Sequence, residues 1–307
     1  MTDWNNKKEV LEAVELDPKD LQHASEELRA DKEVVMAAVG FYEFGEALQY
    51  ASKELRADRE VVLSAVKQDG FVIRFASEEL RADQEIVIAS FRLSDSQDGR
   101  ALYYASEGLK ADLKVVLAAV ESDCTALQYA SDALKADEEV VLTAVKWWGF
   151  QRFSDQDPPQ ADDLPIQFAD ASLKTNREFL EEVVGLISES HAHGSVYDLV
   201  IKALETDFSN KEEVMAAIEE NKDFFEYVPE PLRSEREFIL AAVNVHGYLI
   251  NYLGDVLKAD REIVMAAVNE DGSALQYASK ELQADKEVVL EAVKNKGSAL
   301  EYASDEF

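Results

Sequence analysis

The chain has 307 residues, of which 63 are acidic and 31 basic, and its formal charge of −32 argues against direct binding to nucleic-acid phosphate or anionic lipid. Its one cysteine, Cys124, excludes an internal disulfide framework and fits a reducing compartment. Because no apolar run approaches the roughly 20 residues of a membrane-spanning helix, we expect a cytoplasmic protein that makes no membrane contact.

A phrase of about 25 residues recurs along the chain. The sequence of residues 51–66 is Ala-Ser-Lys-Glu-Leu-Arg-Ala-Asp-Arg-Glu-Val-Val-Leu-Ser-Ala-Val, and residues 278–293 have a closely similar sequence. Self-similarity at a short fixed period is typical of a stacked repeat array. A polar residue just before each Val-Val-like segment marks eleven copies, namely Asn6, Asp31, Asp58, Asp83, Asp112, Asp137, Asn176, Asn210, Glu235, Asp260 and Asp285.

Each copy reads as two helices. Leu275, Ala278 and Leu282 are spaced as neighbours on one face of a first helix, and the apolar residues of 288–293 cover more than half of a second helix. The repeat is shorter than the roughly 34-residue tetratricopeptide repeat. The sequence therefore predicts an all-α fold, an α-solenoid of about eleven 25-residue two-helix repeats.

The marker residues predict helix caps. Ten of the eleven are Asp or Asn, whose side chains accept hydrogen bonds from the free N–H groups of a first helical turn. At the exception, Glu235, we expect Ser234 to provide the cap.

The regular spacing breaks twice. An acidic run with the tandem prolines Pro158 and Pro159 follows a cluster of aromatic residues, and a second irregular stretch contains His191 and His193. We therefore expect an N-terminal repeat stack over 1–146, an irregular segment over 147–209 and a C-terminal stack over 210–307, all within one continuous solenoid.

Two groups of residues are candidates for partner binding. The first is the aromatic cluster beside the break, because aromatic side chains are enriched at interaction hot spots; the alternative is that the rings fill a wedge between two stacks. The second is a ridge that follows each Ala-Val pair and varies from copy to copy, and the alternative there is free drift at a solvent position. The candidates are Trp147, Trp148, Phe150 and Phe153 in the cluster and Lys67, Arg92 and Lys146 on the ridge.

Motifs for chemistry are weak. His191-x-His193 offers two of the three or four ligands that zinc needs, and Asp155-x-Asp157 lacks the glycine and the glutamate of a calcium loop. Cys124 lies in a turn with no evident base. We therefore expect no catalytic residues, no cofactor and no metal, and a protein that is not an enzyme.

The repeated phrase resembles a known family. The segments Ala47-Leu-Gln-Tyr50, Ala126-Leu-Gln-Tyr129 and Ala274-Leu-Gln-Tyr277, each followed by Ala-Ser, are similar to the helical repeat catalogued as domain of unknown function 4116. The resemblance covers nearly the whole chain and weakens between residues 147 and 255. It implies a helical repeat fold of the kind found in unicellular eukaryotes, large viruses and secreted effectors of intracellular bacteria, so that the host cytosol is an alternative location. It brings no agreed activity and no site residue.

The function that the sequence favours is a protein-binding scaffold or adaptor that engages its partner along one solenoid face. A first alternative is an acidic decoy that occupies a basic surface of its target, and a second is a structural subunit of a large assembly. In the first two cases the partner is a protein, and the acidity of the chain makes a basic one natural. The sequence does not indicate an oligomeric state.

Overall fold

The computed structural model describes residues 2–40, 45–91, 98–154, 164–188 and 195–304, and every regular element in these ranges is a helix. The all-α repeat prediction is therefore confirmed. The long α-helices are Lys7–Leu16, Lys32–Val39, Arg59–Val66, Gln84–Ala89, Leu113–Ser122, Glu138–Ser154, Arg177–Ser188, Ser195–Glu205, Lys211–Glu220, Arg236–Val245, Arg261–Glu270 and Lys286–Asn295.

One complete repeat contains three helical pieces. A long helix, Arg261–Glu270, is followed by a 3-10 helix, Gly272–Tyr277, and by a four-residue short helix, Lys280–Gln283. The chain is extended at Ala278, and the Ser279 hydroxyl accepts the N–H of Leu282, so a new helix starts there. The expected first helix is thus divided in two, while its apolar face is kept.

The same order recurs along the chain. The 3-10 helices are Pro18–His23, Gly45–Tyr50, Leu55–Ala57, Gly70–Phe75, Asp98–Arg100, Cys124–Tyr129, Pro165–Phe168, Lys222–Tyr227, Gly247–Tyr252, Gly272–Tyr277 and Gly297–Tyr302. The short α-helices are Glu26–Arg29, Glu78–Arg81, Ala101–Tyr104, Glu107–Lys110, Asp132–Lys135, Ala171–Lys174, Glu230–Arg233, Asp255–Lys258 and Lys280–Gln283.

The predicted caps are present at ten of the eleven markers. At Asp58, for example, Oδ1 accepts the N–H groups of Glu60 and Val61 at 3.0 and 3.1 Å. The prediction for Ser234 is wrong, because its hydroxyl donates to the Glu230 carboxylate and Glu235 starts its helix without a side-chain cap. The ten capping residues are Asn6, Asp31, Asp58, Asp83, Asp112, Asp137, Asn176, Asn210, Asp260 and Asp285.

The described residues form two compact units. Unit 1 comprises Met1–Asp170 with Gly185–Ala192, and unit 2 comprises Ala171–Val184 with His193–Phe307. Unit 2 includes the long helix Ser195–Glu205, which does not follow any of the eleven marker residues. The three-segment organisation within one continuous solenoid remains a prediction.

Within each unit, long helices pack side by side in one layer and the 3-10 helices pack in a second. The Val-Val pairs form the inner face of the long-helix layer; Val61 and Val62 are fully buried, as are Val115 and Val116. Since each repeat buries these side chains only against its neighbours, the core is continuous along the stack.

Backbone hydrogen bonds tie successive repeats together. The Arg29 carbonyl accepts the N–H of Ser52, and the Arg56 carbonyl accepts that of Ser77, both at 2.9 Å. Equivalent bonds run to the carbonyls of Arg81, Lys110, Lys135, Lys258 and Gln283, each the last residue of a short helix, from the N–H groups of Ser106, Ser131, Asp170, Ser279 and Ser304, respectively. This ladder fixes the register of each repeat against the next.

Charged pairs form a second set of ties, which we call rungs. The basic first residue of one long helix reaches the cap carboxylate of the next long helix and the acid two positions beyond it. Rungs of this type start at Lys7, Lys32 and Arg59 in unit 1 and at Arg236 and Arg261 in unit 2. Lys211 makes a simpler contact with Glu235, the residue before the next long helix. Part of the acidity of the chain therefore serves the lattice itself.

Candidate interaction surface

The aromatic cluster predicted as a binding anchor lies on the long helix Glu138–Ser154. Trp148 is only 1 % exposed and packs in the core, whereas Trp147 is half-buried. The proposal of Trp148 as a surface anchor is therefore corrected: its indole is a packing group. The side chains of Phe150 and Phe153 lie outside the described residues.

The varying ridge is at the surface, as expected. Lys67 and Lys146 are exposed, and both follow a buried Ala-Val pair on their long helices. Arg92 lies outside the described residues. Exposure makes these lysines available to a partner, and their role in binding stays a prediction.

The residues that the sequence analysis weighed as metal ligands or nucleophiles do not form a chemical site in the part of the chain that the structure describes. His191, His193, Asp155 and Asp157 are among the residues that the structure does not describe, and Cys124 is buried. Among the described residues, no group of three His, Cys, Asp or Glu side chains is placed to hold a metal ion.

An exposed aromatic residue that the sequence analysis did not single out is Tyr103. Its side chain is 56 % exposed, more than any other aromatic side chain in the described ranges. It occupies the slot of Gln49, Gln128 and Gln276, whose amide nitrogens donate to the carbonyl three residues earlier. The signal in the sequence was the change from Ala-Leu-Gln-Tyr to Ala-Leu-Tyr-Tyr.

Tyr103 belongs to a chain of ring contacts across three repeats of unit 1. Its ring centroid lies 4.9 Å from that of Tyr104 and 5.5 Å from that of Tyr129, both in edge-to-face geometry. Tyr104 contacts Phe71 at 5.4 Å in the same geometry. Edge-to-face pairs are favourable beyond the area they bury, so these rings hold one another in place.

Basic side chains lie over two of these rings, those of Phe71 and Tyr103. The Arg74 guanidinium lies 4.0 Å from the centroid of Phe71, the Arg100 guanidinium lies 5.2 Å from it, and Lys110 Nζ lies 5.6 Å from that of Tyr103. Cation–π contacts of this kind orient the basic groups over the aromatic surface. We define the Tyr103 patch as Phe71, Arg74, Arg100, Tyr103, Tyr104, Lys110 and Tyr129.

Neighbouring acids partly balance the patch. Arg74 pairs with Glu46 at 3.0 Å, and Lys110 pairs with Glu107 at 2.8 Å. Burial raises the pKa of Asp69, which lies close enough to Arg74 and Arg100 to be influenced by their charges. The patch therefore combines the exposed ring of Tyr103 with charges of both signs.

A related set of rings lies in unit 2. Tyr248 contacts Tyr252 at 6.1 Å and Tyr277 at 5.6 Å, and Lys222 Nζ lies 5.3 Å from the Tyr248 ring. Burial, reinforced by the nearby Glu226 carboxylate, raises the pKa of Tyr252 above its usual range. These rings are half-buried, so this set offers less contact area than the Tyr103 patch.

The fold defines an all-α helical-repeat protein of the solenoid class. The family described as domain of unknown function DUF4116 matches residues 6–56, 42–81, 58–110, 112–154, 210–258 and 260–307. Because these segments cover well over half of the chain, the chain belongs to this family. The unmatched stretch, 155–209, is narrower than the region of weak resemblance that the sequence suggested.

No curated protein and no solved structure shows significant similarity to the chain. None of the helices in the described ranges combines the length and the apolar character that crossing a bilayer requires.

Proposed function

We propose that this chain is a non-enzymatic scaffold or adaptor whose protein partner contacts the Tyr103 patch. The observation that carries the proposal is the 56 % exposure of Tyr103 within a chain of aromatic and cationic contacts. Tyrosine and arginine are among the side chains enriched at binding hot spots.

The roles of the residues that recur from repeat to repeat support the choice of Tyr103. The Asp caps, the Val-Val pairs and, where they occur, the basic rung residues are engaged in holding the stack together. Tyr103 makes no comparable contribution, since glutamine fills its slot at Gln49 and Gln128 with a local hydrogen bond. A side chain that departs from its own repeat and is exposed is therefore a candidate for partner choice.

The experiment is a quantitative affinity capture from cell extract with the Tyr103→Gln variant. This variant restores the residue that other repeats use, so it should fold normally while losing the exposed ring. The matched control is Gln276→Ala, which removes the side chain in the equivalent slot of unit 2. We expect the capture of a defined set of proteins to fall at least several-fold with Tyr103→Gln and to be unchanged with the control.

Two further measurements separate the alternatives. Lys67→Glu with Lys146→Glu reports whether the ridge takes part in the same contact. Repeating the capture at low and high salt tests the decoy function, because binding of a basic surface by an acidic decoy should weaken steeply with ionic strength. Equal capture by wild type and Tyr103→Gln would overturn the proposed role of the patch.

A further inference from the structure

Four consecutive short-helix segments of unit 1 carry a basic residue in their last turn that takes no part in the rungs. These residues are Arg29, Arg56, Arg81 and Lys110. Their backbone carbonyls accept, in the same order, the N–H groups of Ser52, Ser77, Ser106 and Ser131. Because each of these serines begins the next segment, the four cations follow one another from repeat to repeat. We call them the basic row.

The guanidinium groups of the row are buried on one side only. The Nε atoms of Arg29, Arg56 and Arg81 are buried and have no hydrogen-bond partner. The three side chains as a whole are half-buried, and the Nη groups of Arg29 and Arg56, which donate to no described acceptor, reach solvent. Since a partly desolvated charge attracts a counter-ion more strongly than a fully hydrated one, the open Nη edge favours an anion.

The acids of the chain leave most of the row unpaired. Arg29 and Arg56 form no ion pair among the described residues, and Arg81 lies 4.0 Å from Glu78. Lys110 is the exception, because it pairs at 2.8 Å with an acid of its own short helix. The arginines of the row therefore keep guanidinium N–H groups available to an anion from outside the chain.

The acids that lie two positions before these arginines are held at the starts of their own segments. Glu54 accepts hydrogen bonds from its own N–H and from Ser52, and these bonds lower the pKa of its carboxyl group. Glu79 does the same with its own N–H and Ser77, which lowers the pKa of that carboxyl group as well. Both carboxylates are thus engaged locally and are not paired with the row.

We propose that the basic row is a docking site for an acidic segment of a separate protein, bound in an extended conformation. Arginine binds a carboxylate through two parallel N–H groups, which suits an open guanidinium edge. Packed helices lie about 10 Å apart and an extended chain advances about 3.3 Å per residue, so acids at every third position match successive repeats. The proposal deepens the scaffold function by naming the chemistry of a partner segment, and rests on it.

The row meets the Tyr103 patch at Lys110, whose Nζ lies 5.6 Å from the centroid of the Tyr103 ring. An acidic segment that follows the row therefore ends beside an exposed aromatic side chain. The net charge of −32 repels such a segment at long range, but in about 0.15 M salt charges are screened beyond about 8 Å. The contacts of the row itself then decide whether the segment binds.

The test uses three fluorescently labelled 12-residue peptides. The first repeats Glu-Ser-Thr four times, the second has Gln in place of each Glu, and the third has the composition of the first with its four Glu adjacent. Binding to the intact chain is followed by fluorescence anisotropy in about 0.15 M salt. We expect saturable binding of the first peptide, at least tenfold weaker binding of the third, and no measurable binding of the second.

Two double variants of the chain locate the binding. Arg29→Gln with Arg56→Gln removes two cations of the row and should weaken binding of the first peptide at least tenfold. The matched control is Lys8→Gln with Lys19→Gln, which makes the same change in net charge at two exposed lysines outside the row. The control should bind the peptide as the wild type does. Circular dichroism confirms that each variant is folded.

Failure of the first peptide to bind, or equal binding by the row variant and its control, would overturn the docking site. Equal binding of the first and third peptides would contradict the extended conformation of the segment. Tighter binding of a single-stranded oligonucleotide than of the first peptide would contradict a protein segment as the occupant. None of these results changes the capture expected with Tyr103→Gln, so failure of the row and failure of the proposed function are distinguishable.

Discussion

Lys32 Nζ lies 2.8 Å from Asp58 Oδ2, while Oδ1 of the same carboxylate caps the helix that Asp58 begins. One aspartate thus holds its own helix and ties it to the preceding repeat. Asn6 and Asn210, which receive no such cation, keep the cap with a neutral side chain. The charge of Asp58 therefore serves the rung, in addition to the cap that a neutral side chain also provides.

The first prediction separates the two tasks of Asp58. Asp58→Ala removes both the cap and the rung and should lower the free energy of unfolding by about 1 kcal/mol or more. Asp58→Asn keeps the cap acceptor and loses only the charge, so its effect should be smaller and should fade at high salt. Urea denaturation at two salt concentrations measures both. An Asn variant as damaging as the Ala variant at both concentrations would contradict the division of roles.

The second prediction concerns acid. Hydrogen bonds from Lys7, Lys32 and Arg236 lower the pKa of Asp31, Asp58 and Asp260, respectively. Because the folded-state pKa lies below the ordinary value of 3.8, the stability from these groups is present above that value. It is lost as the pH falls through the folded-state pKa.

The corresponding measurement is the melting temperature between pH 6 and pH 2, compared between wild type and Lys32→Gln. The variant should show a weaker dependence on pH in the acid range, because Asp58 has lost the ammonium that lowers its pKa. Identical acid profiles for the two proteins would rule out a contribution from this rung.

The third prediction distinguishes the two neighbouring tryptophans. Trp148→Ala opens a cavity in the core and should cost about 3–5 kcal/mol of stability, whereas Trp147→Ala removes a half-buried ring and should cost less. Chemical denaturation of both variants gives the comparison. A larger loss of stability in Trp147→Ala than in Trp148→Ala would contradict the role of Trp148 as a core residue.

The fourth prediction concerns a buried ion pair in unit 2. Lys174 is 5 % exposed and pairs with Glu226, which lies 52 residues further along the chain. Glu226→Gln removes a counter-charge that lies beside this buried ammonium and should cost about 3 kcal/mol.

The double variant Lys174→Met with Glu226→Gln should recover much of this loss, because the buried charge is removed together with its counter-charge. Denaturation of the single and double variants forms the test. Additive losses in the double variant would argue that the pair is not the source of the effect.

The local parts of this fold could be predicted from the sequence. The caps at Asp58 and Asp285 and the buried Val-Val pairs depend on residues a few positions apart, so the repeat phrase reveals them. The break at Ala278 escaped prediction because the spacing of Leu275, Ala278 and Leu282 suits one helix as well as two pieces.

Contacts between repeats were harder to foresee. The rung from Lys32 to Asp58 spans 26 residues, and the patch around Tyr103 joins rings from three repeats. Such contacts depend on how one repeat is stacked on the next, which periodicity alone does not give. Trp148 shows the same limit, since composition favoured an anchor and packing made it part of the core.

The most direct test of the scaffold proposal is hydroxyl-radical footprinting of the chain, free and in complex with a captured partner. We predict that oxidation of Tyr103 and Phe71 falls in the complex, while the control ring Tyr277 in unit 2 is oxidised as before. Oxidation of Tyr103 that is unchanged when the complex forms would contradict binding through this patch.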